Sequence, residues 1–187
     1  GTSPDWTLQY LLDKADMSES DLTIEFKTEA TEVVSALAQD ASAVGILPQP
    51  FATVAMMQDQ ELSMNFPLEN AWKEYSPDGS GIATGVTVVR TEFAKEHPAA
   101  VAQFVQDHQA SVQTAEENQA DAAALIEQYG IVKAAIAQQV IEHFNPMVAT
   151  TGEDMKTWVS GYLEMLYEVA PDAVGGKLPD EGFYYLG

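Results

Sequence analysis

In the first half of the chain, short alternating or apolar runs follow stretches with helical spacing. A strand is predicted where apolar and polar residues alternate, or where a short apolar run ends at a turn residue. The predicted strands cover residues 22–26, 43–47, 61–66 and 82–89. Because helices separate the first three of them, the pattern favours a parallel sheet with helical crossovers, that is, an α/β fold.

Apolar residues at helical spacing predict most of the second half. Ser3, Pro4 and Asp5 are typical of a helix start, with Ser3 as the N-cap and Pro4 in the first turn. The further predicted helices cover residues 31–39, 50–57, 98–117, 119–129, 132–144 and 153–169. After Arg90 the chain is therefore expected to be mainly helical.

Composition limits the partners that the chain can have. Its 187 residues include 29 acidic and 8 basic side chains, a net charge of -21. A field of this sign repels nucleic acid and anionic membrane surfaces, so neither is expected as a partner. No apolar run approaches the roughly 20 residues of a membrane-spanning helix. No signal peptide is visible, so any secretion signal is expected upstream.

Candidate chemistry for catalysis or metal binding is sparse. The chain has no cysteine, which excludes thiolate catalysis and zinc–sulfur sites. Of the three histidines, His97 and His108 would lie about 16 Å apart along one continuous helix, too far to share an ion. The third, His143, adjoins an acidic residue that would point elsewhere on its helix. With no Gly-x-Ser-x-Gly motif either, no catalytic residue, metal site or cofactor is predicted.

Two helix starts are the candidate ligand contacts. Exposed N–H groups at the first helix, flanked by Thr2 and Ser3, can bind a polar or anionic group. Asp5 already complements the dipole of that helix, so a simple cap is the alternative. The second candidate is Gln49 with Pro50, where a predicted strand ends; ligands of open α/β sheets bind at that end of the strands. A rigid turn is the alternative there.

Several blocks of sequence resemble one family of transport proteins. The blocks are Gly-Thr-Ser-Pro-Asp at residues 1–5, Leu-Thr-Ile-Glu-Phe at 22–26, Glu-Val-Val at 32–34, Ala-Val-Gly-Ile-Leu-Pro-Gln-Pro-Phe-Ala at 43–52, and Val-Val-Arg-Thr-Glu-Phe at 88–93. In order and spacing they resemble the ABC-transporter solute-binding proteins of the nitrate/sulfonate/taurine type. The resemblance covers most of residues 1–117.

The resemblance implies a periplasmic-binding-protein-like fold of type II, with two lobes and a helical C-terminal third. Residues 1–82 would form the second, cleft-forming lobe, and residues 83–187 a hinge strand and helices that return to the first lobe. The segment that builds part of the first lobe, with any signal peptide or lipid anchor, would lie upstream. We therefore expect this chain either to form a homodimer or to bind no ligand measurably by itself.

The resemblance also implies a non-enzymatic function outside the cytoplasm. A small polar or anionic solute, such as a sulfonate, nitrate, taurine or a pyrimidine, would bind in the cleft and pass to the ABC permease. The candidate ligand-binding residues are then Thr2, Ser3, Pro4, Asp5, Trp6, Gln49, Pro50 and Thr84. Arg90 is the only arginine, so an arginine clamp for an anion would have to come from upstream. Trp6, Phe51 and Trp72 instead favour a flat heterocycle.

Two other functions are alternatives. One is an enzyme of the pyrimidine-synthesis branch on the same scaffold. The absence of cysteine and the placement of the histidines on C-terminal helices argue against it. The other is a helical interaction module built on residues 91–187, and the strand signals before residue 90 argue against that.

Overall fold

The computed structural model describes residues 2–143 and 149–187 of the chain. Its helices are α1 Ser3–Lys14, α2 Ala30–Leu37, α3 Phe51–Gln58, α4 Leu68–Tyr75, α5 Thr91–Glu96, α6 Pro98–Glu117, α7 Gln119–Gln128, α8 Ala134–His143 and α9 Gly152–Val169. Three short 3-10 helices lie at Glu19–Asp21, Pro171–Val174 and Glu181–Phe183. Within the described residues there is no β-strand, so the fold is helical and the predicted two-lobed α/β fold is wrong.

The segments predicted as strands are irregular and unpaired. Residues 23–27, 43–48, 62–67 and 81–90 belong to no helix or strand, and no backbone hydrogen bond between described residues joins one of them to another. Several of their apolar side chains are exposed: Phe26, Val44, Phe66, Val86 and Val88. An alternating pattern fits a half-buried strand, but a strand also needs a neighbour whose backbone pairs with it. The sequence pattern does not supply that neighbour.

The helix predictions are largely confirmed. The long helix predicted over residues 98–117 is α6, and α9 begins one residue before its predicted start. The helix predicted over 132–144 is α8, although Phe144 lies outside the described residues. Two helices are missing from the prediction: α4, in a stretch whose proline and glycine residues indicate a loop, and α5, which the sequence predicts only as a short turn.

Contacts divide the chain into two units. Unit 1 comprises residues 1–25, 66–102 and 150–187, and unit 2 comprises residues 26–65 and 103–149. Each unit therefore combines segments that are distant in sequence. The domain boundary predicted after residue 82 stays a prediction. No helix in the described part of the chain is both long and apolar enough to cross a lipid bilayer.

Unit 1 packs around Trp72, which is only 1% exposed. The core is built from α1, α4 and α9, and its buried residues are Tyr10, Leu11, Ala71, Trp72, Tyr162, Met165 and Leu166. The Trp72 ring is tilted against the rings of Tyr10 and Tyr162, with centroids 5.6 Å away in both cases. Its Nε1 donates a 3.0 Å hydrogen bond to Ser80 Oγ, so the one polar atom of the indole is satisfied.

Two glycines allow α9 to approach the loop that follows α4. A β-carbon built on Gly161 would lie 2.3 Å from Cβ of Ser80. One built on Gly81 would lie 2.1 Å from the indole of Trp158. Non-bonded carbon atoms do not come this close, so both positions need the missing side chain of glycine.

A long-range ion pair joins helices α1 and α9 of unit 1. Nζ of Lys14, the last residue of α1, donates to Glu168 Oε1 in α9 over 2.9 Å. The hydrogen bond from Lys14 to the Glu168 carboxylate raises the pKa of Lys14 above its usual value. Because both side chains are partly exposed, the pair adds little stability beside the aromatic core.

Unit 2 has a smaller core, rich in small side chains. Helices α7 and α8 pair with each other, and α3 packs on both α2 and α8. The buried residues of these helices are Val34, Leu37, Thr53, Ala55, Ala123 and Ala137. The segment before α3 runs close to α2, because a β-carbon on Gly45 would lie 2.8 Å from Leu37 Cδ1. From Gly45 the chain continues to Gln49, two residues before the first residue of α3.

Candidate functional site

Gln49 forms a hydrogen-bonded corner with Thr53, one turn further along α3. Gln49 Oε1 accepts a 2.8 Å hydrogen bond from Thr53 Oγ1 and a 3.3 Å hydrogen bond from the Thr53 backbone N–H. Thr53 is only 2% exposed. A backbone N–H can only donate, so this bond identifies which amide atom is the oxygen. The amide of Gln49 is therefore held in one orientation, and Nε2 is its remaining donor.

The Nε2 group of Gln49 is buried and has no hydrogen-bond partner among the described residues. The residue as a whole is only partly buried, whereas Nε2 itself is enclosed by the protein. Leaving a buried donor unpaired costs about 1–3 kcal/mol. An acceptor oxygen that reaches Nε2 recovers this free energy, whether it belongs to a water molecule or to a solute.

The local sequence explains how Gln49 is positioned. Pro48 and Pro50 flank it, and the Gln49–Pro50 peptide bond is cis. Gln49 lies two residues before the first residue of α3 and four positions before Thr53, so its side chain can accept a hydrogen bond from an N–H group of the first turn. Residues 41–58 contain no charged side chain.

Electrostatics in unit 2 are strongly negative. The unit carries eleven acidic and two basic side chains and no arginine. One base, Lys133, donates to Glu127 over 2.9 Å, which lowers the pKa of Glu127 and raises that of Lys133. The other, Lys27, has an interaction of its own. Among the described residues, no group of histidine and carboxylate side chains is arranged to hold a metal ion.

The start of α1 differs from its prediction in one respect. Ser3 is the first residue of the helix and Thr2 holds the N-cap position, without a side-chain capping bond. The prediction that Ser3 caps this helix is therefore wrong, because the helix begins one residue earlier. Pro4 lies in the first turn as predicted. Asp5 accepts a 3.0 Å hydrogen bond from Gln9 Nε2, so its carboxylate already has a partner within the helix.

The remaining candidate ligand residues are in different surroundings. Trp6 packs against the core of unit 1, whereas Thr84 is exposed in the irregular segment after Gly81. Trp72 is inside the core, so a ligand cannot reach its ring. Gln49 and Pro50 belong to unit 2, and the other candidate ligand-binding residues belong to unit 1.

Thr53 is the site residue that the sequence prediction missed. It fixes the orientation of the Gln49 amide through two donors on one residue. The signal available in the sequence is the Gln-x-x-x-Thr spacing directly after a proline corner.

A shallow polar depression in unit 2 is a weaker candidate for a ligand site than the Gln49 corner. It is lined by Lys27, Thr31, Glu32, Ser35, Ala36 and Gln39. Most of these polar groups are engaged locally: the Glu32 carboxylate accepts from the backbone N–H groups of residues 28 and 29, and Ser35 donates to the Thr31 carbonyl. Gln39 donates to the Ser35 carbonyl. The depression therefore has no unpaired buried donor comparable with Gln49 Nε2.

No protein-family model matches the chain, and neither a curated protein nor a solved structure matches it significantly.

Replacing Thr53 by valine tests whether the hydrogen bond from the Thr53 hydroxyl to Gln49 contributes to stability. The change keeps the volume of the side chain but removes the hydroxyl donor, and leaves Gln49 Oε1 with the longer bond alone. We expect the free energy of unfolding to fall by about 1–2 kcal/mol, measured by urea denaturation. The matched control is Thr114→Val, since the Thr114 hydroxyl is exposed and donates only to a carbonyl of its own helix. Equal effects of the two changes would contradict the role assigned to Thr53.

Proposed function

We propose that the chain is the solute-binding component of an ABC importer. It binds one small polar solute at the Gln49 corner and delivers it to the permease outside the cytoplasm. The observation that carries the proposal is the buried, unpaired Nε2 of Gln49. Gln49 is also one of the candidate ligand-binding residues that the family resemblance implies, although the strand predicted to end at this corner is absent from the described residues.

A binding role fits the chemistry at this corner. Gln49 and Thr53 are neutral groups that do not transfer protons at neutral pH, so they can position a solute without reacting with it. A preformed donor gives affinity at low entropic cost, because Thr53 already holds the amide in place. The shared features of nitrate, taurine and a pyrimidinone are oxygen atoms that accept hydrogen bonds from such a donor.

The Gln49→Glu variant tests the proposal. It keeps the shape of the side chain and the acceptor for Thr53, but it replaces the N–H donor by a second oxygen. With isothermal titration calorimetry on nitrate, taurine and cytosine, we expect wild-type protein to bind at least one of them with one site per chain. The variant should bind it at least tenfold more weakly, since about 1.4 kcal/mol of lost binding corresponds to that factor.

The matched control is Gln138→Glu, which makes the same chemical change at an exposed position of α8 in the same unit. Its affinity should stay within twofold of wild type. If none of the three solutes binds, or if both variants lose affinity equally, the proposed function is wrong. Mass spectrometry of the released solute separates binding from turnover, since a binding protein returns it unchanged.

Self-association is part of the same proposal. In the exposed segment of residues 84–89 no backbone hydrogen bond to another described residue is present, and Val86 and Val88 are largely exposed there. Exposed apolar surface of this kind is usually covered in a soluble protein. Sedimentation velocity on the same samples gives the oligomeric state in which the solute is bound.

A further inference from the structure

The segment of residues 84–89 exposes its backbone as well as its side chains. All six residues are exposed, and no backbone hydrogen bond joins them to another described residue. None of them has a positive φ, and the following Arg90 has extended backbone angles. A β-carbon built on Gly85 would have no atom within 4 Å, so the space beside the segment is open. Its N–H and C=O groups are therefore available to pair with another extended chain.

The other three irregular segments are less suited to such pairing. Residues 23–27 include both an acidic and a basic side chain, and in residues 62–67 Met64 is partly buried. Residues 43–48 run close to α2, because a β-carbon on Gly45 would lie 2.8 Å from a leucine side chain of that helix. Among the four irregular segments, the one that contains residues 84–89 is thus the one with an uncharged, fully exposed stretch.

Charge and sequence symmetry favour a second copy of the chain as the partner. The net charge of -21 makes two copies repel each other over most of their surface, but residues 79–91 contain no acidic side chain. The Val-Thr-Val sequence at residues 86–88 is the same in both directions. A twofold-symmetric dimer uses the same patch on both chains, so this short palindrome can pair with itself in antiparallel orientation.

We infer that two chains associate through an antiparallel pair of their 84–89 segments, centred on Thr87. In this register Thr87 lies opposite its own counterpart, and Val86 lies opposite Val88 of the second copy. Side chains alternate along a strand, so the two valines share one face, and the pairing covers side chains that are 65% and 83% exposed. The two Arg90 residues would lie about 20 Å apart, at opposite ends of the pair.

This inference rests on the self-association included in the proposed function and names its interface, whichever solute is bound. Two paired segments of this length are marginally stable by themselves. We therefore expect a reversible dimer with a Kd on the order of 100 μM.

Disulfide trapping tests the register directly, because the chain has no cysteine of its own. Thr87→Cys places two thiols opposite each other across the twofold axis, with β-carbons about 5 Å apart. The matched control is Thr84→Cys, the same change at an exposed residue of the same segment, where the two thiols would be about 20 Å apart. With oxidised glutathione and the complete chain, we expect covalent dimer to form at least tenfold faster with Thr87→Cys.

Sedimentation velocity measures the dimer without a cross-link, at protein concentrations from about 1 μM to about 500 μM. Val88→Asp places carboxylates in the apolar pairs and should weaken association at least tenfold. The matched control is Val44→Asp, the same change at a valine of unit 2 that is 95% exposed, and it should leave association within twofold of wild type. Circular dichroism verifies that each variant keeps its helices.

A wild-type chain that stays monomeric over this range would overturn the inference and leave the segment to a partner other than a second copy. Equal cross-linking of the two cysteine variants, or equal weakening by the two aspartate variants, would also overturn it, because another surface would then carry the association. Solute binding by a monomeric chain would overturn the inference alone. A chain that cross-links through Thr87→Cys but binds no solute would support the inference and contradict the solute-binding part of the proposed function.

Discussion

Replacing Trp72 by alanine is expected to lower the free energy of unfolding by about 3–5 kcal/mol. Trp72 is fully buried between Tyr10 and Tyr162, and truncation would leave a large cavity between α1, α4 and α9. Since domains are stable by only about 5–15 kcal/mol, this is a large part of the total. Chemical denaturation followed by near-ultraviolet circular dichroism, which reports on the packed aromatic rings, is the measurement.

Two comparison variants separate the loss of apolar packing from the loss of the Trp72 hydrogen bond and from the loss of an exposed ring. Trp72→Phe keeps most of the apolar contact but loses the hydrogen bond to Ser80, so we expect a smaller loss of about 1–2 kcal/mol. Phe26→Ala removes a ring that is 65% exposed and should change stability by no more than about 0.5 kcal/mol. If Trp72→Ala were as mild as Phe26→Ala, Trp72 would not be a core residue, and its ring would again be a candidate for stacking on a ligand.

Gly161→Ala is expected to be destabilising, against the usual trend for helices. In the middle of an exposed helix, this change typically stabilises by about 0.5–1 kcal/mol. In α9 the added methyl group would meet Cβ of Ser80 at 2.3 Å, so α9 or the loop must shift. We expect a loss of about 1–3 kcal/mol, the usual cost of overpacking, measured by thermal or urea denaturation.

Gly85→Ala is the matched control, because a β-carbon at Gly85 has no atom within 4 Å. It should leave stability unchanged or slightly raised, since alanine restricts the unfolded chain. A second check is Ser80→Gly, which removes the clashing carbon atom. The double variant should lose less stability than the sum of the two single changes, because the residues are in direct contact. Strict additivity would show that the close approach does not exist.

The helices could be predicted because the hydrogen bonds and the apolar spacing of a helix lie within a single segment of the chain. The apolar spacing of α6 and α9, with Pro98 at the start of the former, specifies them without reference to the rest of the chain. The strand predictions failed because pairing is not local: Val86 and Val88 fit a strand pattern, but no segment of the described chain pairs with them. Helix α4 is missing from the prediction because the turn residues at 77–81 indicate an irregular stretch over residues 67–81, whereas the helix ends just before them.

The candidate site was predictable only in part. Gln49 could be singled out by its place between two prolines, but its partner could not, because hydrogen-bond orientation depends on the buried position of Thr53. For Trp72 the sequence favoured contact with a flat ligand, whereas the structure places the side chain in the core. An aromatic side chain has the same sequence signature in a core and in a ligand site, and only burial distinguishes them.

The ion pair between Lys14 and Glu168 has a consequence for the order in which unit 1 assembles. These residues are 154 positions apart, and α1 contacts α9 directly. During synthesis the first helix therefore emerges long before the helix that covers its apolar face. Closing so long a loop is entropically costly, and contacts of such high sequence separation slow folding. In the interval only α4 can cover this face, through the contact of Trp72 with Tyr10, so part of the apolar surface of α1 stays accessible to water and to other chains until α9 is made.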